Sequence, residues 1–248
     1  MNVIPIKDFT KTQASPGHLQ ADTVAHCGNS ISGIFVWTLT ITDEYSGWTV
    51  NRAMFGKSAT DVVTAFMSSF MDYPFKIKSL NTDSDTEFVN NELRTYIESK
   101  NIEFTRSRPY RKNDNCYAEQ KNFTHVREIF GYDRFDKEHL IFIMNQIYKD
   151  KFNLLSNFFI PQLKSKQVVR VGSKYKRTYD IPKTPYQRLI ESPELSVYEK
   201  DKLKSQYEKL NPLQLKKELN FELKRFRRIL EGKSDYRYKI KGWREDCA

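Results

Sequence analysis

The sequence predicts a mixed α/β fold: a five-stranded sheet flanked by helices, followed by a mostly helical, basic C-terminal region. Three observations carry this. Runs rich in β-branched and aromatic residues come first, separated by short turn signals. Helical and strand-like periods then alternate through about Gly131, after which the strand signal fades. The charge changes at nearly the same place. Residues 1–135 hold 15 Lys and Arg against 16 Asp and Glu, and residues 136–248 hold 26 against 15. The chain therefore divides into a lead-in of residues 1–17, a nearly neutral α/β core of 18–135, and a basic region of 136–248.

The lead-in is polar, with Pro5 and Pro16. His18 to Cys27, Ile31 to Ile41 and Trp48 to Phe55 are the first three strands, and Gly28-Asn29 and Asp43 to Gly47 mark the turns of an antiparallel meander. Ser58 with Asp61 three residues later is a capping signal. Val62, Ala65, Phe66 and Phe70 give the following helix its apolar face, and Asp72-Tyr73-Pro74 ends it. Phe75 to Leu80 alternates as a fourth strand, Phe88 to Lys100 reads as a helix, Ile102 to Ser107 as a fifth strand, and Glu119 to Gly131 as a third helix. The order β-β-β-α-β-α-β-α follows. Beyond it, Lys137 to Ile160 is one long helical stretch with an expected break near Asn153, and Gln167 to Pro185 a linker or extended arm. Ser192-Pro193 opens a helix to about Leu210, and Leu213 to Glu231 is a helix striped by Leu213, Leu215, Leu219, Leu223, Phe226 and Leu230.

Composition excludes several classes. At 39% hydrophobic and 14% aromatic, the 248 residues describe a globular chain rather than a disordered one. No apolar run approaches the roughly 20 residues of a membrane span, and Met1 to Thr10 lacks the apolar centre of a signal peptide. Three cysteines do not make a disulfide framework, which favours a reducing cytoplasm. A net charge of +10 predicts an anionic partner, nucleic acid first.

Three carboxylates stand in unusual places. Asp22 lies inside the first strand, where Asp is disfavoured. Asp83 follows the fourth strand. Glu119 precedes Phe123, Val126 and Phe130 by 4, 7 and 11 residues and so continues their stripe. A carboxylate aimed along a core-facing stripe is costly unless a cation neutralises it. If the first and fourth strands are neighbours and the third helix crosses them, the three acids meet at one end of the sheet. Taken singly, each has an ordinary structural explanation in turn chemistry, helix-dipole placement or strand-edge solvation.

These residues and their surroundings resemble a known family. HLQADTVAHCG at 18–28, TDSDTEF at 82–88 and TRSRPYRKNDNCYAEQKN at 105–122 are similar to the catalytic core of DDE transposases and retroviral-type integrases, of the bacterial insertion-sequence type. The resemblance covers roughly residues 15–135. It includes the 35 residues between Asp83 and Glu119, the Ser107-Arg108-Pro109-Tyr110 stretch, and the positions of Asn115 and Asn122. It implies an RNase H-like fold and a triad of Asp22, Asp83 and Glu119 holding two Mg²⁺ or Mn²⁺ ions, nucleoid-associated DNA as substrate, and phosphodiester cleavage followed by strand transfer. Two positions depart from the family. Asp85 stands where the pattern Asp-Asn-Gly-Ser-Glu-Phe has Gly, and Cys116 replaces the Gly after Asn115.

Arg106, Arg108, Arg111 and Lys112 precede the Glu119 helix and Lys121 follows on it. With Asn115 and Asn122 they are the expected DNA contacts. Gln120 and Lys121 point away from the Phe123 stripe. His26, Cys27, Cys116 and Cys247 lack zinc spacing and read as structural. In the basic region, the Gln167 to Arg177 arm and Lys217, Lys224, Arg225 and Arg228 are further phosphate-tracking candidates, while the leucine stripe reads as a packing or self-association face. Members of the family carry a helix-turn-helix segment ahead of the core. With Asp22 so early, that recognition segment is expected to be missing or supplied separately. A homo-oligomer pairing DNA ends is expected, and no membrane partner. The competing function is a truncated transposase that binds DNA or assembles without efficient chemistry.

Overall fold

A computed structural model describes residues 4–8, 14–83, 88, 90–108 and 112–233, with the backbone alone at 112, 113, 166–168, 171 and 175. Strands β1 (His18–Ala25), β2 (Val36–Asp43) and β3 (Thr49–Phe55) form the antiparallel meander. Strand β4 (Ser79–Thr82) joins β1 in parallel and β5 (Glu103–Arg106) joins β4 in parallel, giving the order β3-β2-β1-β4-β5. The predicted meander and the neighbouring of first and fourth strands are both present.

Two strands are shifted from their predicted positions. The second begins at Val36, leaving Ile31 and Ile34 exposed. The fourth begins at Ser79 rather than Phe75, because parallel pairing starts only where β1 starts: His18 lies opposite Ser79. The Gly17 carbonyl accepts the Lys78 and Ser79 amides at that point. Gly17 has φ +107°, and a Cβ there would sit 2.5 Å from the Lys76 carbonyl, so glycine permits the approach. Phe75 is spent on the core beside Tyr73.

Helix α1 (Ala59–Phe70) opens with the predicted capping box, Ser58 Oγ accepting the Asp61 amide and Asp61 Oδ2 the Ser58 amide. Helix α2 (Asn91–Ser99) is capped by Asn90 Oδ1, which accepts the Leu93 amide. The third helix differs from a regular 3.6 period. It starts as α3 (Cys116–Lys121), widens into a π-helix over Asn122–Arg127 and closes as α4 (Glu128–Phe130). The wider turn rotates the residues that follow it. Val126 and Phe130 are buried as expected, but Phe123 is 55% exposed and His125 is buried in its stead. Glu119 is exposed too, so it does not continue a buried stripe.

The stretch after 137 forms α5 (His139–Ile147), a π turn over Tyr148–Phe152 and α6 (Asn153–Phe159), with the irregularity just ahead of Asn153. The expected linker is in fact a hairpin, β6 (Ser165–Val171) and β7 (Lys174–Tyr179), followed by α7 (Pro185–Glu191). Helix α8 (Val197–Glu208) is capped by Ser196 rather than by Ser192. Helix α9 (Pro212–Leu230) buries Leu215, Leu219, Phe226 and Ile229 against Phe130, Phe135 and α5, so its stripe packs within the chain; Leu213 alone of the predicted stripe is widely exposed.

Both margins of the sheet are covered. Residues 4–8, read as a mere lead-in, lie along β5: Arg106 N donates to Pro5 O and Lys7 N to Arg106 O, while Ile4 enters the core. At the other margin, two asparagine amides clamp β3. Asn145 accepts the Ala53 amide at 2.7 Å and donates to the Ala53 carbonyl at 3.0 Å, and Asn157 does the same to Thr49 at 2.9 and 2.8 Å. Each replaces one step of an absent strand.

His26 closes β1. It stacks on Phe135 at 4.7 Å and shares a hydrogen bond with Thr38 Oγ1, which makes it structural. Burial, aided by the Arg127 charge, pulls its pKa from 6.5 to about 3, and burial, with the Lys121 charge, lowers that of His125 as well. A histidine whose folded pKa is depressed binds its proton only when unfolded in this window, so stability falls as pH drops from 6.5 toward 3. Urea unfolding of His26→Gln at pH 7 and pH 4.5 should show a smaller acid loss than the parent. Asn157→Ala, which strips two partners from a buried strand edge, should cost ~2 kcal/mol or more in the same assay.

Candidate functional site

The site lies where the parallel pairing of β1 with β4 ends. Ala21 and Thr82 are the last paired residues, so Asp22 follows within β1 and Asp83 follows just past β4. Both are half-buried. The Asp22 carboxylate is fixed from two sides: Oδ1 accepts the Thr23 amide at 2.8 Å and Oδ2 accepts Asn122 Nδ2 at 2.5 Å.

Helix α3 is fastened to β1 by three consecutive residues of the strand. The Gln20 Oε1 accepts the Tyr117 amide at 3.0 Å, the Ala21 carbonyl accepts Asn115 Nδ2 at 3.0 Å, and Asp22 accepts Asn122. Gln20 and Asp22 alternate onto one face of the strand, and α3 lies on that face with Ala118 fully buried between its asparagines. Glu119 sits one turn before Asn122, whose amide it accepts through its carbonyl. It therefore flanks the Asp22 side of the helix while its own side chain stands in solvent. Among the described residues, no three His, Cys, Asp or Glu side chains lie close enough together to hold a metal ion. Two buried acceptors at this end have no partner, Asn115 Oδ1 and Asn122 Oδ1. Carboxylates beside unsatisfied amide oxygens are the hard, oxygen-only donor set that suits Mg²⁺ or Mn²⁺.

The expected DNA contacts are distributed unevenly. Arg106 donates from Nε to the Ile4 carbonyl and serves the sheet margin. Arg108 forms a bidentate pair with buried Asp114, both bonds 2.8 Å, with its own amide on the same carboxylate; this pairing raises its already high pKa. The pair ties together the loop ahead of α3. Asn122 bonds the Asp22 carboxylate, and Asn115 bonds the neighbouring Ala21 carbonyl. Arg111, like Asp85, lies outside the described residues, and so does the side chain of Lys112. Lys121, at the end of α3, is half-buried. Burial, helped by Arg188, lowers its pKa to about 8.

Two positioning residues were not singled out by sequence. Gln20 is 3% exposed and also donates to Glu44, which pairs with Lys7. Its signal was available, a polar residue two before Asp22 on the same strand face. Asp114 had no such signal, because its partner Arg108 looked like a DNA contact.

Residues 12–112, less than half of the chain, match the family model described as "Integrase core domain". The five-stranded sheet is that of an RNase H-like integrase core. The chain is 33% identical over 186 residues to "Uncharacterized protein y4rM" of Sinorhizobium fredii (strain NBRC 101917 / NGR234), an alignment covering 75% of this chain and 53% of that protein. It thus spans about half the length of that curated relative. A solved structure, a simian T-cell lymphotropic virus intasome in complex with PP2A regulatory subunit B56 gamma, aligns with a TM-score of 0.49 and 13% identity, over 78% of this chain and 60% of that one. No helix among the described residues is long and apolar enough to cross a membrane.

Removing the Gln20 or Asn115 side chain should loosen α3 from β1 while leaving the sheet intact. Hydrogen–deuterium exchange of Gln20→Ala and Asn115→Ala should accelerate over 116–121 by tenfold or more, about 1.4 kcal/mol of local opening, with β2 and β3 unchanged.

Proposed function

We propose that the chain is a DNA transposase/integrase, cleaving phosphodiesters and transferring strands with Asp22, Asp83 and Glu119 as the metal-holding triad. The observation that supports this reading is that the β1–β4 pairing ends one residue before both Asp22 and Asp83, while α3, which carries Glu119, is fastened to β1. Bound there, two Mg²⁺ or Mn²⁺ ions would stabilise the attacking and leaving oxygens of an in-line displacement. The chain's own residues orient the site. Asn122 and the Thr23 amide fix the Asp22 carboxylate, Gln20 and Asn115 set the height of α3, and the Arg108–Asp114 pair holds the loop that precedes it. Water and then a DNA 3′-hydroxyl are the nucleophiles, so no side chain need form a covalent intermediate. Asn115, Asn122, Arg111 and Lys112 are the proposed DNA contacts beside the carboxylates. DNA ends and target, a homo-oligomeric assembly and a separately supplied end-recognition segment belong to the same proposal.

A second reading, a DNA-binding or assembly protein with weak chemistry, draws on one observation. Glu119 stands in solvent, and no closed three-carboxylate group exists among the described residues. A nicking assay on labelled duplex DNA with Mg²⁺ separates the two. Metal-dependent cleavage that disappears in Asp22→Asn, Asp83→Asn and Glu119→Gln, and persists in Asp85→Asn, is the expected result. DNA binding with no metal-dependent cleavage by the parent protein would overturn the enzyme reading.

A further inference from the structure

A cavity of about 600 Å³ opens on the other side of α3, between that helix and the root of the β6–β7 hairpin. Lys121, Lys164 and Arg177 line it with Tyr117, Gln162 and Ser165, and among the described residues no carboxylate does. Elsewhere on the molecule the clefts mix signs, as where Lys149 and Lys202 face Asp72 and Asp150. Lys164 is engaged, donating Nζ to the carbonyls of Glu44 and Tyr45. Lys121 and Arg177 have no hydrogen-bond or ion-pair partner among the described residues. The Gln162 backbone is held by Lys183 and Arg188, while its Nε2 is buried without an acceptor. Two uncommitted cations and an orphaned N–H donor in one concave space define a site for an oxyanion.

We infer that this cavity takes one phosphate of a nucleic-acid backbone, an inference that rests on the DNA reading above. A small anion would need only the cavity. A polyanion also accounts for the exposed Arg170, Lys174 and Lys176, which carry positive charge outward along the hairpin from Arg177. Helix α3 separates the cavity from Asp22, and a helix is about 10 Å across. At 3.4 Å of rise per nucleotide, the phosphate held here is about three nucleotides from the one at the carboxylates. The strand thus crosses over α3, with Asn122 on one flank and Lys121 on the other.

The test uses the full chain carrying Asp22→Asn in metal-free buffer, so that binding is read without chemistry. Fluorescence anisotropy with a labelled 20-base-pair duplex is measured from 50 to 200 mM salt. Lys121→Gln with Arg177→Gln should weaken binding and lower the slope of log K against log salt by about 1, the signature of one lost phosphate contact. Lys209→Gln, exposed where α8 ends, should leave the slope unchanged, and circular dichroism melts confirm folding. An unaltered slope in the double variant overturns the inference. A second arm titrates inorganic phosphate alone and vesicles containing anionic phosphatidylglycerol. Lys121-dependent saturation by either, without the DNA effect, also overturns it. Because the readout is binding, nicking can fail while this result stands, and the reverse.

Discussion

The parallel pairing of β1 with β4 is the constraint on which the rest depends. It fixes the strand order, since β1 is the only strand with an antiparallel neighbour on one side and a parallel one on the other. Its last pair, Ala21 with Thr82, precedes Asp22 and Asp83. It also leaves the middle of β1 open to the α3 segment. Gln20, Ala21 and Asp22 each make a separate bond to that helix, one through a side-chain amide, one through a carbonyl and one through a carboxylate. A one-residue slip would turn Gln20 and Asp22 to the wrong face and release all three.

Most of the sheet was legible in the sequence because its signals are local. The meander has β-branched runs and short turns, and the Ser58–Asp61 box is complete within four residues. The misreadings have a common cause in long-range contacts. Strand β4 is displaced because its partner decides where pairing begins. The Glu119 helix was read with a 3.6-residue period, and the π segment at Asn122–Arg127 moved Phe123 outward and His125 inward. Nothing local in that stretch announces a wider turn. The partners of the arginines were hidden for the same reason: Arg106 bonds the Ile4 carbonyl and Arg108 the Asp114 carboxylate, contacts that only the fold supplies.

The basic region proved to be two things. Its apolar residues complete the core, with Phe158 against Trp48 and Phe226 against Phe130 and Phe135. Among the described residues, many of its cations stand at the surface on the β6–β7 hairpin and on α9, while Arg188 is buried. The neutral half therefore needs the basic half for burial, and the change of charge near residue 135 marks a change of surface rather than a seam in the packing.

The asparagine clamps on β3 and the covering of β5 by residues 4–8 set a rule for association. A sheet with a bare margin can recruit a strand from another molecule. Here the Thr49 and Ala53 backbone groups are occupied by Asn157 and Asn145, and Arg106 is occupied by Pro5 and Lys7. At Thr49, Ala53 and Arg106 another copy of this chain can add a strand to the five-stranded sheet only by first displacing these partners, so joining there would cost the fold its own contacts.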